Sequence, residues 1–304
     1  MSSLLPPAMT VFERGWLSSN NILFVDGDDT ALVDSGYATH AAQTVALVEH
    51  ALQGRPLRRL FNTHLHSDHC GGNAALQLRF GCETAIPALE ADSVRHWNEN
   101  TLSYKATGQQ CPAFVFDHTL APGDSVQLGG LDWQVLAAPG HDPHSLIFYC
   151  PAHRILISAD ALWEHGFGVI FPELAGEPGF AEARATLDLI ATLPVDVVVP
   201  GHGAPFTDAA GALARAYSRL AYLSADPVRN AQNAVKVMLK FVLLERRAIA
   251  LDAVPALLAD MSVIAHANRR YLHLEPQALA QYAVSQLVRA GAARIAGAML
   301  HDAA

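Results

Sequence analysis

The sequence predicts an α/β domain over about residues 1–207, followed by a mostly helical domain over about 208–304. Three observations predict it. Short β-rich runs alternate with helical segments through the first two thirds of the chain. From Ala209 onward the chain turns Ala- and Leu-rich at helical spacing. Four apolar runs of the first part end in an imidazole or a carboxylate, the position where an α/β sheet usually carries its chemistry.

The elements follow in order. Residues 21–25 and 30–33 read as two strands joined by Asp26-Gly27-Asp28-Asp29, a hairpin signal. After Asp34-Ser35-Gly36, residues Ala41, Val45 and Val48 lie at helical spacing and predict a helix over 38–52. Residues 57–62 read as a buried strand running into a His-rich loop. Asn73 reads as the N-cap of a short helix ending near Phe80. Residues 99–112 carry little pattern and read as a lid or an insertion. Four strands are predicted over 125–128, 131–137, 145–149 and 154–158, with Gly129-Gly130 turning between the first two. A helix over 180–193 and a strand over 195–199 lead to Pro200-Gly201-His202. Residues 209–247 read as two helices broken at Asp226-Pro227. A helix over 276–290 opens with Pro276 and stops at Gly291, leaving 292–300 as a short hairpin or a frayed tail.

Composition narrows the function classes. The 304 residues are 51% hydrophobic and 16% charged, which excludes a disordered chain. Lys and Arg number 20 against 29 Asp and Glu, a net charge of −9. That balance disfavours nucleic-acid binding driven by phosphate neutralisation, although a local basic patch is compatible with it. The basic residues of the second domain, from Arg215 to Arg289, are such a candidate patch, and its helices are also candidates for a homodimer interface. Cys70, Cys82, Cys111 and Cys150 form no C-x-x-C pair, and reduced thiols in a cytoplasm are the simpler reading. Residues 1–10 show no basic stretch followed by an apolar one, so no signal peptide is predicted. No apolar run approaches the ~20 residues of a membrane span.

The strongest signal is His64-Leu65-His66-Ser67-Asp68-His69, directly after an apolar strand. In an extended segment His64 and His66 point to one side and can converge on one metal. Asp68 and His69 follow where the chain turns and can face a second. Imidazole with carboxylate and without thiolate suits Zn, Fe or Mn in an open site. Three further strands end at potential ligands: Pro139-Gly140-His141, Ser158-Ala159-Asp160 and Pro200-Gly201-His202.

This ordered set, with Asp34 ahead of it, resembles the five-motif pattern of the metallo-β-lactamase superfamily over about residues 15–207. The resemblance implies a four-layered αββα sandwich with a two-metal site at one edge. It implies that His64, His66 and His141 bind one metal, that Asp68, His69 and His202 bind the other, and that Asp160 bridges them. Asp34 would orient the ligand loop. The implied chemistry is hydrolysis by a hydroxide bridging two divalent ions, with zinc the default and Fe or Mn possible. Asp68 would orient that hydroxide and relay a proton to the leaving group.

Departures narrow the substrate. Asp160 in the bridging position and the lack of a signal peptide disfavour an exported β-lactamase. The flavodiiron members carry Glu where His66 stands. The layout resembles glyoxalase-II-like thioesterases and lactamase-like proteins with a winged-helix C-terminal domain. The first reading is therefore a cytoplasmic hydrolase of a small ester, thioester or lactone. The alternative is a metal-dependent single-strand nuclease using the basic C-terminal helices. Trp163, His165 and Phe167 follow Asp160 closely and are candidates to line the substrate cleft. Cys70 is read as a packing residue and His144 as a packing or solvent-facing one.

Overall fold

Alternation along the strands dictates the layers. Ile22, Phe24, Ala31, Val33 and Phe61 are buried on one face of a sheet, while Leu23, Leu32 and Leu60 are buried on the other. A sheet covered on both faces needs a layer on each side. The computed structural model describes residues 4–303 and provides both layers.

The first sheet has six strands in the order β1(Met9–Phe12), β2(Asn21–Asp26), β3(Asp29–Val33), β4(Arg59–Phe61), β5(Glu83–Pro87) and β6(His118–Leu120). The first three pair antiparallel, and β3 to β6 run parallel. The second sheet has five strands, β7(Ser125–Leu128), β8(Leu131–Ala137), β9(Leu146–Cys150), β10(Ile155–Ala159) and β11(Val197–Pro200). Its neighbours are antiparallel except β10 and β11. Between the sheets, Phe24, Val33 and Phe61 pack with Trp133, Val135, Phe148, Ile157 and Val199.

Helices cover the outer faces. On the first sheet lie α1(Ala41–Leu52) and, beyond the four-residue α2(Ser67–Cys70), α3(Asn73–Phe80), whose Val48, Leu52 and Leu76 meet Leu23, Leu32 and Leu60. Two short helices, α4(Ala91–Arg95) and α5(Tyr104–Thr107), follow β5, and α6(Phe171–Ala175) follows β10. On the second sheet lie α7(Phe180–Thr192) and α8(Ala209–Ser224), whose Leu187, Ile190, Ala216 and Leu220 meet Ile147, Leu156 and Val198. This is the αββα sandwich.

A second helical core begins with α9(Pro227–Arg246). It continues through β12(Ala248–Ala250), α10(Val254–Asp260), α11(Ser262–Ala267), α12(Pro276–Arg289), β13(Ala293–Ala296) and β14(Met299–Asp302). The three strands form a small antiparallel sheet with β14 in the centre. The two cores are stitched together. Tyr37 packs edge-on against Phe241 of α9, at 5.1 Å between ring centroids. Its hydroxyl donates to Glu245 Oε1 at 3.2 Å and accepts from Gln110 N at 3.1 Å.

Some elements differ from the sequence reading. Strands β1, β5, β6 and β12 were not foreseen, because three or four residues carry too little alternation and β5 contains Glu83 and Pro87. Helices α10 and α11 are short and interrupted at Met261, which breaks the helical period. Residues 292–300 fall in a hairpin, β13 to β14. Asn73 does not cap its helix: Gly72 occupies the N-cap without a side-chain bond. The Asn73 amide is buried instead, donating to Asn62 Oδ1 at 2.7 Å and accepting from Ser35 Oγ at 2.7 Å. The 99–112 segment is anchored through buried Leu102, Tyr104 and Cys111.

Candidate metal centre

The site is assembled at strand C-termini. Asp34 follows β3, the His64–His69 loop follows β4, His141 follows β8, Asp160 follows β10 and His202 follows β11. Backbone bonds draw the two sheet edges together there: Asn20 N donates to Gly201 O at 2.7 Å and Leu146 N to Thr63 O at 2.8 Å, while the bond from Ser19 N to Asp68 O at 2.9 Å ties the ligand loop to the segment before β2. The register of β10 shifts between Ile157 and Ala159, and Ala159 takes φ +45. Asp34 takes φ +59. Non-glycine residues in that left-handed region are disfavoured by about 1–2 kcal/mol each, and such strain concentrates where a side chain must be aimed.

Two groups of donor atoms converge. His64 Nε2 lies 3.1 Å from His66 Nδ1, which lies 2.8 Å from His141 Nε2. His202 Nε2 lies 3.1 Å from Asp68 Oδ2, and His69 Nε2 lies 3.4 Å from Asp160 Oδ1 and 4.0 Å from Asp68 Oδ2. Asp160 faces both groups, with Oδ2 3.3 Å from His141 Nε2 and Oδ1 3.8 Å from His202 Nε2. Within each group the ligand atoms lie within 4.8 Å of one another.

Outer hydrogen bonds set which nitrogen of each ring is free. His141 Nδ1 bonds Val169 O at 2.6 Å and His202 Nδ1 bonds Gly15 O at 3.1 Å. Carbonyls only accept, so both Nδ1 atoms carry a proton and both Nε2 atoms are turned toward the site. His69 Nδ1 bonds Asp34 Oδ2 at 2.7 Å, and its buried Nε2 has no hydrogen-bond partner. Thr63 Oγ1 donates to Asp34 Oδ2 at 2.8 Å and so accepts from His64 Nδ1 at 3.1 Å. Three imidazole nitrogens in one group, and two imidazole nitrogens with two carboxylates in the other, form a donor set that fits divalent metal.

Charge states agree with this at His141 and His64, whereas His69 and His202 are raised, against burial, by neighbouring carboxylates and would give up a proton to a metal. Burial, with neighbouring imidazoles, holds His141 down at about 4 and His64 well below the ordinary range. Both are neutral near pH 7, as metal ligands must be. Burial opposes the charge on His69, but the carboxylates of Asp160 and Asp34 outweigh it and raise its pKa. Burial likewise opposes ionisation of Asp160, but His69 and His202 outweigh it and keep it ionised.

The structure therefore brings His64, His66, Asp68, His69, His141, Asp160 and His202 together, with Asp34 behind His69. Trp163 and Phe167 line the cleft beside them, and Trp163 Nε1 donates to Asp160 Oδ1 at 3.2 Å. His165 is not among the cleft residues; its side chain is 78% exposed and meets Glu164. Gly166, at φ +135, turns the chain there and carries His165 outward. The Cys70 thiol is buried, and burial raises its pKa, which makes it an unreactive packing group.

Other residues complete the site, and of these Trp16, Asn20, Thr63 and Glu90 went unread in the sequence. Trp16 stacks on His202, 5.4 Å between centroids and 10° between planes. Asn20 Nδ2 donates to Pro200 O at 2.9 Å and Gly203 O at 2.7 Å, fixing the His202 loop. Asp142 Oδ2 lies 3.7 Å from His66 Nε2, and its Oδ1 accepts from His144 N at 2.8 Å. His144 Nδ1 lies 2.6 Å from Glu90 Oε1. Thr63 had a signal, its place directly before His64; Trp16 and Glu90 had none.

Comparison with known proteins gives the same picture. The family profile described as the metallo-beta-lactamase superfamily matches residues 14–202. A hydroxyacylglutathione hydrolase of Dechloromonas aromatica (strain RCB) is 32% identical over 177 residues, 58% of this chain and 54% of that protein. One from Thermosynechococcus vestitus is 30% identical over 194 residues, 63% of this chain and 66% of that protein. The match spans about half the length of the first of these curated relatives. Among solved structures, a metallo-beta-lactamase family protein from Thermus thermophilus aligns with TM-score 0.59 at 19% identity, over 99% of this chain and 100% of that one. The Novosphingobium pentaromativorans metallo-beta-lactamase aligns with TM-score 0.55 at 25% identity, over 71% and 85%. The family binds divalent metals, and its profile spans the convergent imidazoles and carboxylates described above. The chain belongs to the metallo-beta-lactamase superfamily.

Proposed function

We propose that this protein is a hydrolase that carries two divalent metal ions, zinc by default, and cleaves a small thioester, with esters and lactones as related substrates. The observation that supports it most is the pair of adjoining donor groups faced by the two oxygens of Asp160. His64, His66 and His141 would hold one ion, Asp68, His69 and His202 the other, with Asp160 between them. The relatives named hydroxyacylglutathione hydrolase favour a thioester among the options.

The chemistry supplied by divalent ions in these groups is Lewis acidity, toward a carbonyl oxygen and toward water. The chain's own residues do the rest. Asp34, Thr63 and the Val169 and Gly15 carbonyls keep the imidazoles in the tautomer that faces inward. Asp68, at the cleft wall, is placed to take a proton from attacking water and return it to the leaving thiolate. Trp163, Phe167 and Phe171 give the cleft an apolar lining that limits water.

The nuclease alternative has less support. Of the basic residues that motivated it, Arg215 is paired with Asp208, Arg229 with Asp226, and Lys240 and Arg247 with Asp302. We place the enzyme in the cytoplasm, where four free buried thiols stay reduced; no helix among the described residues is long and apolar enough to cross a membrane.

The test combines metal analysis and turnover. About two metals per chain by mass spectrometry, fewer in Asp160→Ala, and thioester turnover lost with EDTA and restored by zinc are expected. Removing Asp68 by Asp68→Asn should lower kcat at least about 100-fold. A protein that binds no transition metal on reconstitution, or turns over RNA and no thioester, overturns the reading.

A further inference from the structure

The catalytic cleft does not end at the donor groups. Its cavity, about 110 Å³, is lined by Trp16, Trp163, Asn233, Val237 and Phe241, and these same five residues line a second cavity of about 410 Å³. The two are thus one continuous groove between the sandwich and α9. Trp16 stands at the junction with its indole 57% exposed, and Val237 on the facing helix is 40% exposed. An open wall of this kind, contiguous with a catalytic site, is suited to the apolar stretch of a ligand.

The charge of the second cavity is opposite to that of the chain. The protein carries a net charge of −9. The second cavity is nevertheless lined by Lys236, Lys240 and Arg289 and by no carboxylate. Lys240 is held by Asp302 and faces its own partner. Arg219, at the wall of the first cavity, and Lys236, at the wall of the second, are different. Neither makes a hydrogen bond or an ion pair with any described residue. The buried Nε of Arg219 is unpartnered, and its guanidinium lies over the Phe167 ring at 5.7 Å. Burial depresses the Lys236 amine, and Arg219 adds to the depression, so the two cations feel each other. Two half-buried like charges without a counter-ion are unfavourable, and an anion seated between them removes the repulsion and supplies the missing acceptors.

We propose that this groove binds the arm of the substrate remote from the reacting carbonyl, and that the arm ends in a carboxylate or phosphate received by Arg219 and Lys236. Its apolar portion lies against Trp16, Trp163 and Phe241. The proposal rests on the hydrolase reading for the word substrate, but the anion subsite itself does not. A small ligand suits the groove better than a polynucleotide. The cavity holds one drug-sized arm, and the unpaired cations are two, one at the wall of each part of the groove, rather than a track.

The probes are hexyl phosphate, heptanoate and 1-hexanol, with quenching of tryptophan fluorescence as the readout. Binding is measured on metal-loaded protein and after chelation, because an anion also binds divalent ions directly. In both states the two anions should bind at least about tenfold more tightly than the alcohol, the worth of one charge-assisted hydrogen bond. That preference should disappear in Lys236→Gln and in Arg219→Gln and persist in Lys236→Arg, with melting temperatures showing that each variant is folded. Equal binding of the three probes overturns the proposal, as does a preference that survives both Gln variants. A uridine octamer that binds more tightly than hexyl phosphate, and is lost in the same variants, reassigns the groove to nucleic acid.

Paired thioesters then locate the anion. One pair differs by a carboxylate on the acyl group, the other by a phosphate on the thiol. The pair whose KM rises about tenfold in Lys236→Gln identifies the arm. If no thioester is turned over while the probe preference persists, the thioesterase reading fails and the subsite stands. If thioesters are turned over with no preference, the subsite alone fails.

Discussion

Asp34 Oδ2 lies 2.7 Å from His69 Nδ1, and the other oxygen of Asp34 accepts from the backbone N–H of Thr63 at 2.9 Å. One carboxylate at the end of β3 thus sets both the ring of His69 and the start of the loop that carries His64 and His66. Replacing Asp34 by Asn keeps a side chain that tolerates its left-handed backbone, φ +59, while removing the charge. Metal affinity in Asp34→Asn, read by competition with a chelator, should fall about 10- to 100-fold with the melting profile of the metal-free protein little changed. Unchanged affinity would remove this role from Asp34.

Gly201 lies under the carboxylate of Asp160. A methyl group there would meet Asp160 Oδ1, and would lie 3.0 Å from His69 Cε1. Neither group has room to retreat, since both are buried. Gly201→Ala should therefore lose metal by mass spectrometry while keeping its far-ultraviolet circular dichroism. Full metal content would show that the two side chains can shift together.

His144 and Glu90 give a pH-dependent contribution to stability. The hydrogen bond to Glu90 raises the His144 pKa above its ordinary 6.5, against a smaller opposing effect of burial. A raised folded-state pKa stabilises most below the unfolded value, and that stability is lost as pH rises through the folded value. The melting-temperature gap between wild type and His144→Gln should be larger at about pH 6 than at about pH 9. A gap that widens with pH contradicts the pairing.

Tyr37 ties α9 to the sandwich through its hydroxyl. Tyr37→Phe keeps the edge-on contact with Phe241 and deletes the bonds to Glu245 and Gln110. Urea unfolding should show a loss of about 1–2 kcal/mol, the usual worth of such bonds. No loss would mean that the apolar contact alone docks the helix.

Much of the fold was legible because its signals are local. The strands β2, β3, β8, β9 and β10 run five to seven residues with a buried or alternating pattern, and α7, α8 and α9 carry long helical periods. The edges β1 and β6 were not legible, since backbone pairing with a neighbour, not their side chains, makes them strands. Asn73 is instructive. Its residue type and place before an apolar run fit a cap, but Asn62 and Ser35, brought in from β4 and β3, offer its amide better partners inside the protein.

The identity of the donors was written in residue type and strand-end position. Imidazoles and carboxylates placed after apolar strands announce a metal site before any fold is known, because few other chemistries need that set. Their arrangement into two groups about Asp160, and the outward swing of His165, depend on how two sheets abut at one edge. The unpaired Arg219 and Lys236 depend on it still more. They stand on separate helices, α8 and α9, with nothing in their spacing to relate them, and only the packing of α9 against the sandwich brings both to the groove without an ion-pair partner. Chemistry that resides in one residue can be read along the chain; chemistry that resides in a missing neighbour needs the third dimension.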